Sequence, residues 1–133
     1  MRLTMCKSKL HRATITEAKL YYEGSITIDS RLLEAADILP YEKVQVVNIN
    51  NGARFETYTY AGRAGSGTIC LNGAAARQAA VGDLVIIIAY AHLEAEEARS
   101  HMPRLVLLND DNSVKEIIRD RPLPALSEHS HEC

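Results

Sequence analysis

Short alternating or β-branched runs recur along this chain at close intervals: Leu3 to Leu10, Ala13 to Thr16, Ile26 to Ile28, Val44 to Ile49, Arg54 to Tyr60, Thr68 to Leu71 and Leu84 to Tyr90. Runs of this length and period suit strands and leave little chain for long helices, so the sequence reads as mainly β. Asn51-Gly52 stands between two of the runs and predicts an antiparallel hairpin closed by a type I′ turn. Leu84-Val85-Ile86-Ile87-Ile88 is apolar at both alternating sets of positions, which predicts a strand buried on both faces at the centre of the core. Helices are short. Asp29 or Ser30 can cap Arg31 to Ala36 ahead of Pro40, Gly73 to Arg77 opens a second helical turn, and Glu94 to Ser100 forms a third before Pro103. Many short strands with brief helical links predict a small closed β-barrel, because closure removes exposed strand edges.

A chain of 133 residues has room for one domain. Its periodicity fades from about Asp110, so residues 1–115 are expected to form the domain. Residues 116–133, with Pro122, Pro124, His129 and His131, are expected to be a mobile tail. A formal net charge of -2, one Phe and no Trp argue against a surface that tracks and stacks on nucleic acid. The longest apolar stretch, Leu84 to Ala91, is too short to cross a bilayer. Three cysteines, Cys6, Cys70 and Cys133, form no C-x-x-C pair, and a soluble protein of the reducing cytoplasm fits best. His129, His131 and Cys133 have metal-like spacing, but an unpatterned tail would not preorganise them, so no metal is expected.

The candidate chemistry begins at Gly24-Ser25. Alone the pair reads as a turn. A serine hydroxyl can nevertheless attack the carbonyl of the preceding residue, and glycine there admits a strained backbone. The resulting ester can eliminate to break the chain, leaving dehydroalanine, whose hydrolysis gives a pyruvoyl N-terminus and ammonia. Asn72-Gly73-Ala74-Ala75-Ala76-Arg77 places an amide and unencumbered backbone N–H groups at a helix start, which suits an anion or a tight turn packed with small residues. Gly62, Gly65 and Gly67 lack the lysine and hydroxyl residue of a phosphate loop and read as a hairpin loop. Lys9 and His11 share one face of the first strand, and Arg54 opens the strand that carries Thr57 and Tyr58.

Lys9-Leu10-His11-Arg12, Tyr22-Glu23-Gly24-Ser25, Asn51-Gly52 with Arg54-Phe55 and Thr57-Tyr58, Asn72-Gly73-Ala74-Ala75-Ala76 and Val81-Gly82-Asp83 occur in an order and spacing that closely resemble pyruvoyl-dependent aspartate 1-decarboxylases. The resemblance runs from about Met5 to about Asn112. It implies a six-stranded double-psi β-barrel, a homotetramer with active sites between subunits, and conversion of L-aspartate to β-alanine and CO2 for pantothenate synthesis. It also implies self-cleavage between Gly24 and Ser25 into a β chain (1–24) and an α chain (25–133) that begins with pyruvoyl, a maturation step in which an accessory protein can take part. The group would act as the electron sink that decarboxylation needs, through a Schiff base with the substrate amine.

On the same resemblance, Lys9 and Arg54 would bind the substrate carboxylates, Arg54 in a bidentate way, and the Gly73, Ala74 and Ala75 backbone would form the substrate turn. Tyr58 would donate the proton that replaces CO2. Thr57 would bond the Gly24 carbonyl and promote cleavage, besides lying at the substrate, and Asn72 would assist the same oxyanion. His11 and Tyr22 would stand behind these groups. The competing reading, from another class, is a swapped-hairpin β-barrel transcription regulator with no enzymatic activity, which shares short strands and a Val-Gly-Asp turn and predicts an intact chain.

Overall fold

The computed structural model describes residues 1–21 and 24–119. Nine strands are β1 (Arg2–Thr14), β2 (Glu17–Lys19), β3 (Ser25–Asp29), β4 (Lys43–Asn48), β5 (Arg54–Gly62), β6 (Ile69–Asn72), β7 (Leu84–Glu94), β8 (Arg104–Leu108) and β9 (Val114–Ile118). Helices α1 (Ser30–Ala36) and α2 (Ala95–Ser100) and a 3-10 helix (Gly73–Gln78) link them. The hydrogen-bonded order is β2-β6-β3-β5-β4-β7-β1-β8-β9. Since β2 follows β1 after two residues, the ladder leaves one stretch of chain and returns to its neighbour, as a small barrel requires. Leu10, Ile26, Ile28, Val46, Ile69, Leu71, Val85, Ile87 and Val106 fill the interior with no solvent exposure.

The mainly β expectation holds, and the differences are local. The 3-10 helix and α2 fall where short helical turns were expected. The Asn51-Gly52 hairpin joins β4 and β5, yet only Gly52 has positive φ, so the turn is not type I′. Asn48 Oδ1 instead accepts from the backbone N–H groups of Asn50 (2.8 Å) and Asn51 (3.3 Å), an Asx turn that favours a longer loop. β7 is buried on one face only: Val85, Ile87 and Ala89 meet the core, while Ile86 and Ile88 are half-buried on the other side. β1 and β4 flank β7 edge to edge, so the core covers one of its faces.

Gly62 to Gly67 is not a hairpin loop, because β5 and β6 both pair with β3 and lie on either side of it. The ordered domain also passes residue 115. β9 pairs antiparallel with β8, and exposure at four of its five positions hid its period. Most of the expected tail, including His129, His131 and Cys133, lies outside the described residues.

Asp29 caps α1 by accepting from Arg31 N–H at 2.9 Å, and its carboxylate also accepts from Gly65 N–H (3.1 Å) and Gly67 N–H (2.8 Å). Burial alone would raise this carboxyl. The N–H groups of Gly67, Arg31 and Gly65, with the Arg31 charge, outweigh burial and hold it below the ordinary carboxylate range. Asn112, with positive φ, ties the same loop to β1: its side chain bonds Thr14 N–H, Thr14 C=O and Gly67 C=O.

Candidate active site

β3 and β6 pair antiparallel with Ser25 opposite Asn72 and Thr27 opposite Cys70. Directly opposed residues share a face, so these four side chains rise from one side of the sheet. Ser25 is 0% exposed and Asn72 5%. The Asn72 amide donates to Ser25 Oγ at 2.9 Å and to Thr27 Oγ1 at 3.0 Å. Cys70 Sγ in turn donates to Asn72 Oδ1 at 3.3 Å. Asn72 occupies the N-cap position of the 3-10 helix but makes no capping bond, and its carbonyl oxygen, the atom that would cap, faces Cys70 Sγ instead. Glu17, Lys19, Tyr21, Tyr60 and Thr68 complete a cleft of about 580 Å3 around this group. Burial, then the Glu17 carboxylate, pushes the Cys70 thiol up against the opposing pull of Lys19, so it stays protonated at neutral pH.

β5 runs parallel to β3, with Thr59 beside Ile26 and Tyr60 beside Thr27. One residue earlier in this register, Ser25 comes level with Tyr58, and Gly24 with Thr57. Alternation puts Tyr58 and Tyr60 on the Ser25 face, where their rings meet edge to face with centroids 5.6 Å apart. Thr57 points to the opposite face, paired with the buried Val44. Gly24 is exposed, its φ is not left-handed, and a Cβ there would meet nothing within 4 Å. Gly73, with φ of 65°, is buried and turns the chain directly after Asn72, leaving Ala74 exposed and Ala75 half-buried. Tyr22 lies outside the described residues.

The expected carboxylate-binding residues stand elsewhere on the same face. His11, Ile86, Val47 and Arg54 form one cross-strand row, and Lys9, Ile88, Gln45 and Glu56 the next. β1 is four strands from β3. At ~4.8 Å per strand, that separates Lys9 from Ser25 by about 19 Å along the sheet. Arg54 is four residues from Tyr58, which is about 13 Å along β5. One chain therefore does not bring Lys9 or Arg54 to Ser25. Burial, then the Arg12 and Lys9 charges, lowers the His11 pKa and favours the neutral ring. Among the described residues, no group of His, Cys, Asp and Glu is arranged to hold a metal ion. Sequence reading missed Thr27, Cys70, Glu17 and Lys19, although the period of two from Ser25 and back from Asn72 marks Thr27 and Cys70 as neighbours on that face.

The molecule is thus a mainly β domain with a cleft centred on a hydrogen-bonded serine, where one strand begins and its antiparallel neighbour ends. The family model described as aspartate decarboxylase matches residues 1–115, and the chain belongs to that family. Similar relatives include the aspartate 1-decarboxylase of Salinibacter ruber, 64% identical over 86% of this chain and 78% of the relative. That of Clostridium acetobutylicum is 62% identical over 88% and 92%, and one from Staphylococcus aureus is 58% identical over 89% and 93%. Family membership overturns the transcription-regulator reading.

Proposed function

We propose that this protein is an aspartate 1-decarboxylase that converts L-aspartate to β-alanine and CO2 in the cytoplasm, for pantothenate synthesis, with a pyruvoyl group made from its own Ser25. The observation that carries the reading is the buried Ser25 hydroxyl, held by the Asn72 amide at 2.9 Å in a cleft directly after an exposed glycine. A serine destined to become such a group needs space for substrate beside it, and the cleft at Ser25 supplies that.

In self-processing, Ser25 Oγ bonds to the Gly24 carbonyl carbon, the peptide C–N bond breaks, and the hydroxyl proton passes to the freed amine. Loss of the Ser25 Cα proton then breaks Cβ–Oγ, giving a Gly24 carboxylate and dehydroalanine. Hydrolysis of dehydroalanine releases ammonia. Thr57, level with Gly24, is the group we place at the scissile carbonyl. The Asn72 N–H lies on Oγ, so its part falls in the second step, where negative charge develops on the departing carboxylate.

When present, the pyruvoyl group supplies the sink for the electron pair left by CO2. Tyr58, on the Ser25 face, then delivers the proton to carbon. Gly73, Ala74 and Ala75 border the substrate. Lys9 and Arg54 are its carboxylate partners, and His11 supports Lys9 from the adjacent row. Their distance from Ser25 within one chain favours a site completed by a second copy, in a homotetramer whose contacts cover the half-buried Ile86 and Ile88. Matured protein given L-aspartate should release β-alanine and CO2 in equal amounts. Fully cleaved protein that yields no β-alanine would refute the assignment.

A further inference from the structure

Asn72 engages both ends of its carboxamide in one direction: two N–H groups to Ser25 and Thr27, and the carbonyl oxygen to Cys70. A carboxamide turned by 180° keeps its shape and exchanges donors for an acceptor, so only its neighbours fix its direction. Hydroxyls donate or accept equally well, and Ser25 therefore does not decide the matter. Cys70 does, because its thiol hydrogen has Asn72 Oδ1 at 3.3 Å, nearer than its other acceptor, Leu71 C=O at 3.9 Å.

The direction matters to Ser25. With N–H on Oγ, the serine hydrogen points away from the amide and is free to leave as Oγ bonds to carbon. The same N–H then meets the charge that develops when Cβ–Oγ breaks. A reversed amide would present an oxygen lone pair to that charge, opposing the step in which Cβ–Oγ breaks.

We propose that Cys70 and Thr27 are positioning residues for self-processing: Cys70 sets the direction of the Asn72 carboxamide, and Thr27, taking its second N–H, holds the group in place against Ser25 Oγ. This rests on Ser25 being the self-cleaving residue. The pair acts on maturation.

The test is the first-order rate at which freshly produced intact chain becomes two fragments, followed by intact-mass spectrometry, with a thermal melt of each variant. Cys70→Ala should slow cleavage about tenfold, the loss of one modest hydrogen bond, and Cys70→Ser, which keeps a donor, should recover it to within about threefold of the native rate. Thr27→Val removes the opposite flank at nearly constant shape and should also slow cleavage about tenfold; it decides the matter if Cys70→Ala fails to fold. Combining Cys70→Ala with Asn72→Ala should be no slower than Asn72→Ala alone, which a general packing defect would not give. Native-rate cleavage in Thr27→Val, or failure of Cys70→Ser to recover the rate, overturns the proposal while leaving the role of Ser25 intact. A wild-type chain that never cleaves refutes that role and the proposal together.

Discussion

The two ends of β3 hold polar side chains of opposite character. At the end of the strand, the Asp29 carboxylate takes three backbone N–H groups, and Asn112 completes the cluster with three bonds to backbone of β1 and the glycine loop. At its start, the Ser25 hydroxyl takes an N–H from the side chain of Asn72, which is held by Thr27 and Cys70. Backbone partners cannot change role, so the Asp29 end is a structural clasp. Hydroxyl, thiol and amide partners can redirect hydrogens, and they line the cleft of about 580 Å3 at the Ser25 end, whereas in the cleft of about 460 Å3 at the Asp29 end the carboxylate is already taken up by backbone. Two polar clusters joined by five residues of one strand thus divide stability from chemistry.

Substitutions should separate the two ends. Ser25→Ala carries the largest effect: cleavage and decarboxylation should both vanish while the melting temperature stays within a few degrees, because a buried hydroxyl is lost with little volume. Retained decarboxylation would remove Ser25 from the chemistry. Next comes Tyr58→Phe, which should cleave normally yet decarboxylate about 100-fold more slowly, whereas Thr57→Val should fail chiefly in cleavage. Normal turnover in matured Tyr58→Phe would exclude it as the proton donor.

Gly67→Ala should do the reverse. Gly67 has φ of 69°, and an added Cβ would stand 2.8 Å from Asp111 O, so the loop must shift. Urea unfolding should show a loss of about 2–3 kcal/mol, with native cleavage in the folded fraction. Slowed cleavage there would mean that the clasp and the reactive end are coupled.

The smallest effect is that of pH at the clasp. The Asp29 carboxyl is depressed in the folded state, so its stabilisation is present above the unfolded value of about 4 and is lost as pH falls through the folded value. Acid titration of stability should show this loss in wild type. Asp29→Asn should be less stable at neutral pH and flatter below about pH 4; an equal acid slope in both would contradict the depressed state.

Much of this division was readable in sequence. The strand runs and the Asp29 cap follow from local pattern, and Gly24-Ser25 and Asn72 are marked by chemistry that small residues in those contexts permit. Other features leave no local trace. The parallel pairings of β1 with β8 and β3 with β5 are non-local, so sequence alone suggests a hairpin at Gly62 to Gly67 where the chain crosses β3. Edge strand β9 is too exposed to show a period. Ile86 and Ile88 are as apolar as true core residues, and composition does not distinguish an interior from a face left for another copy. The same face carries Lys9 and Arg54 away from Ser25, which a one-dimensional motif does not reveal.

The central claim is that the Ser25 end of β3 is a reactive centre that remakes its own backbone. Intact-mass spectrometry of purified protein, after warm incubation alone and with extract of the cell that encodes it, tests this most directly. Two fragments are expected, one ending at Gly24 and one beginning at residue 25 and lighter by one ammonia than a chain starting with serine. A single full-length mass under both conditions would contradict the account.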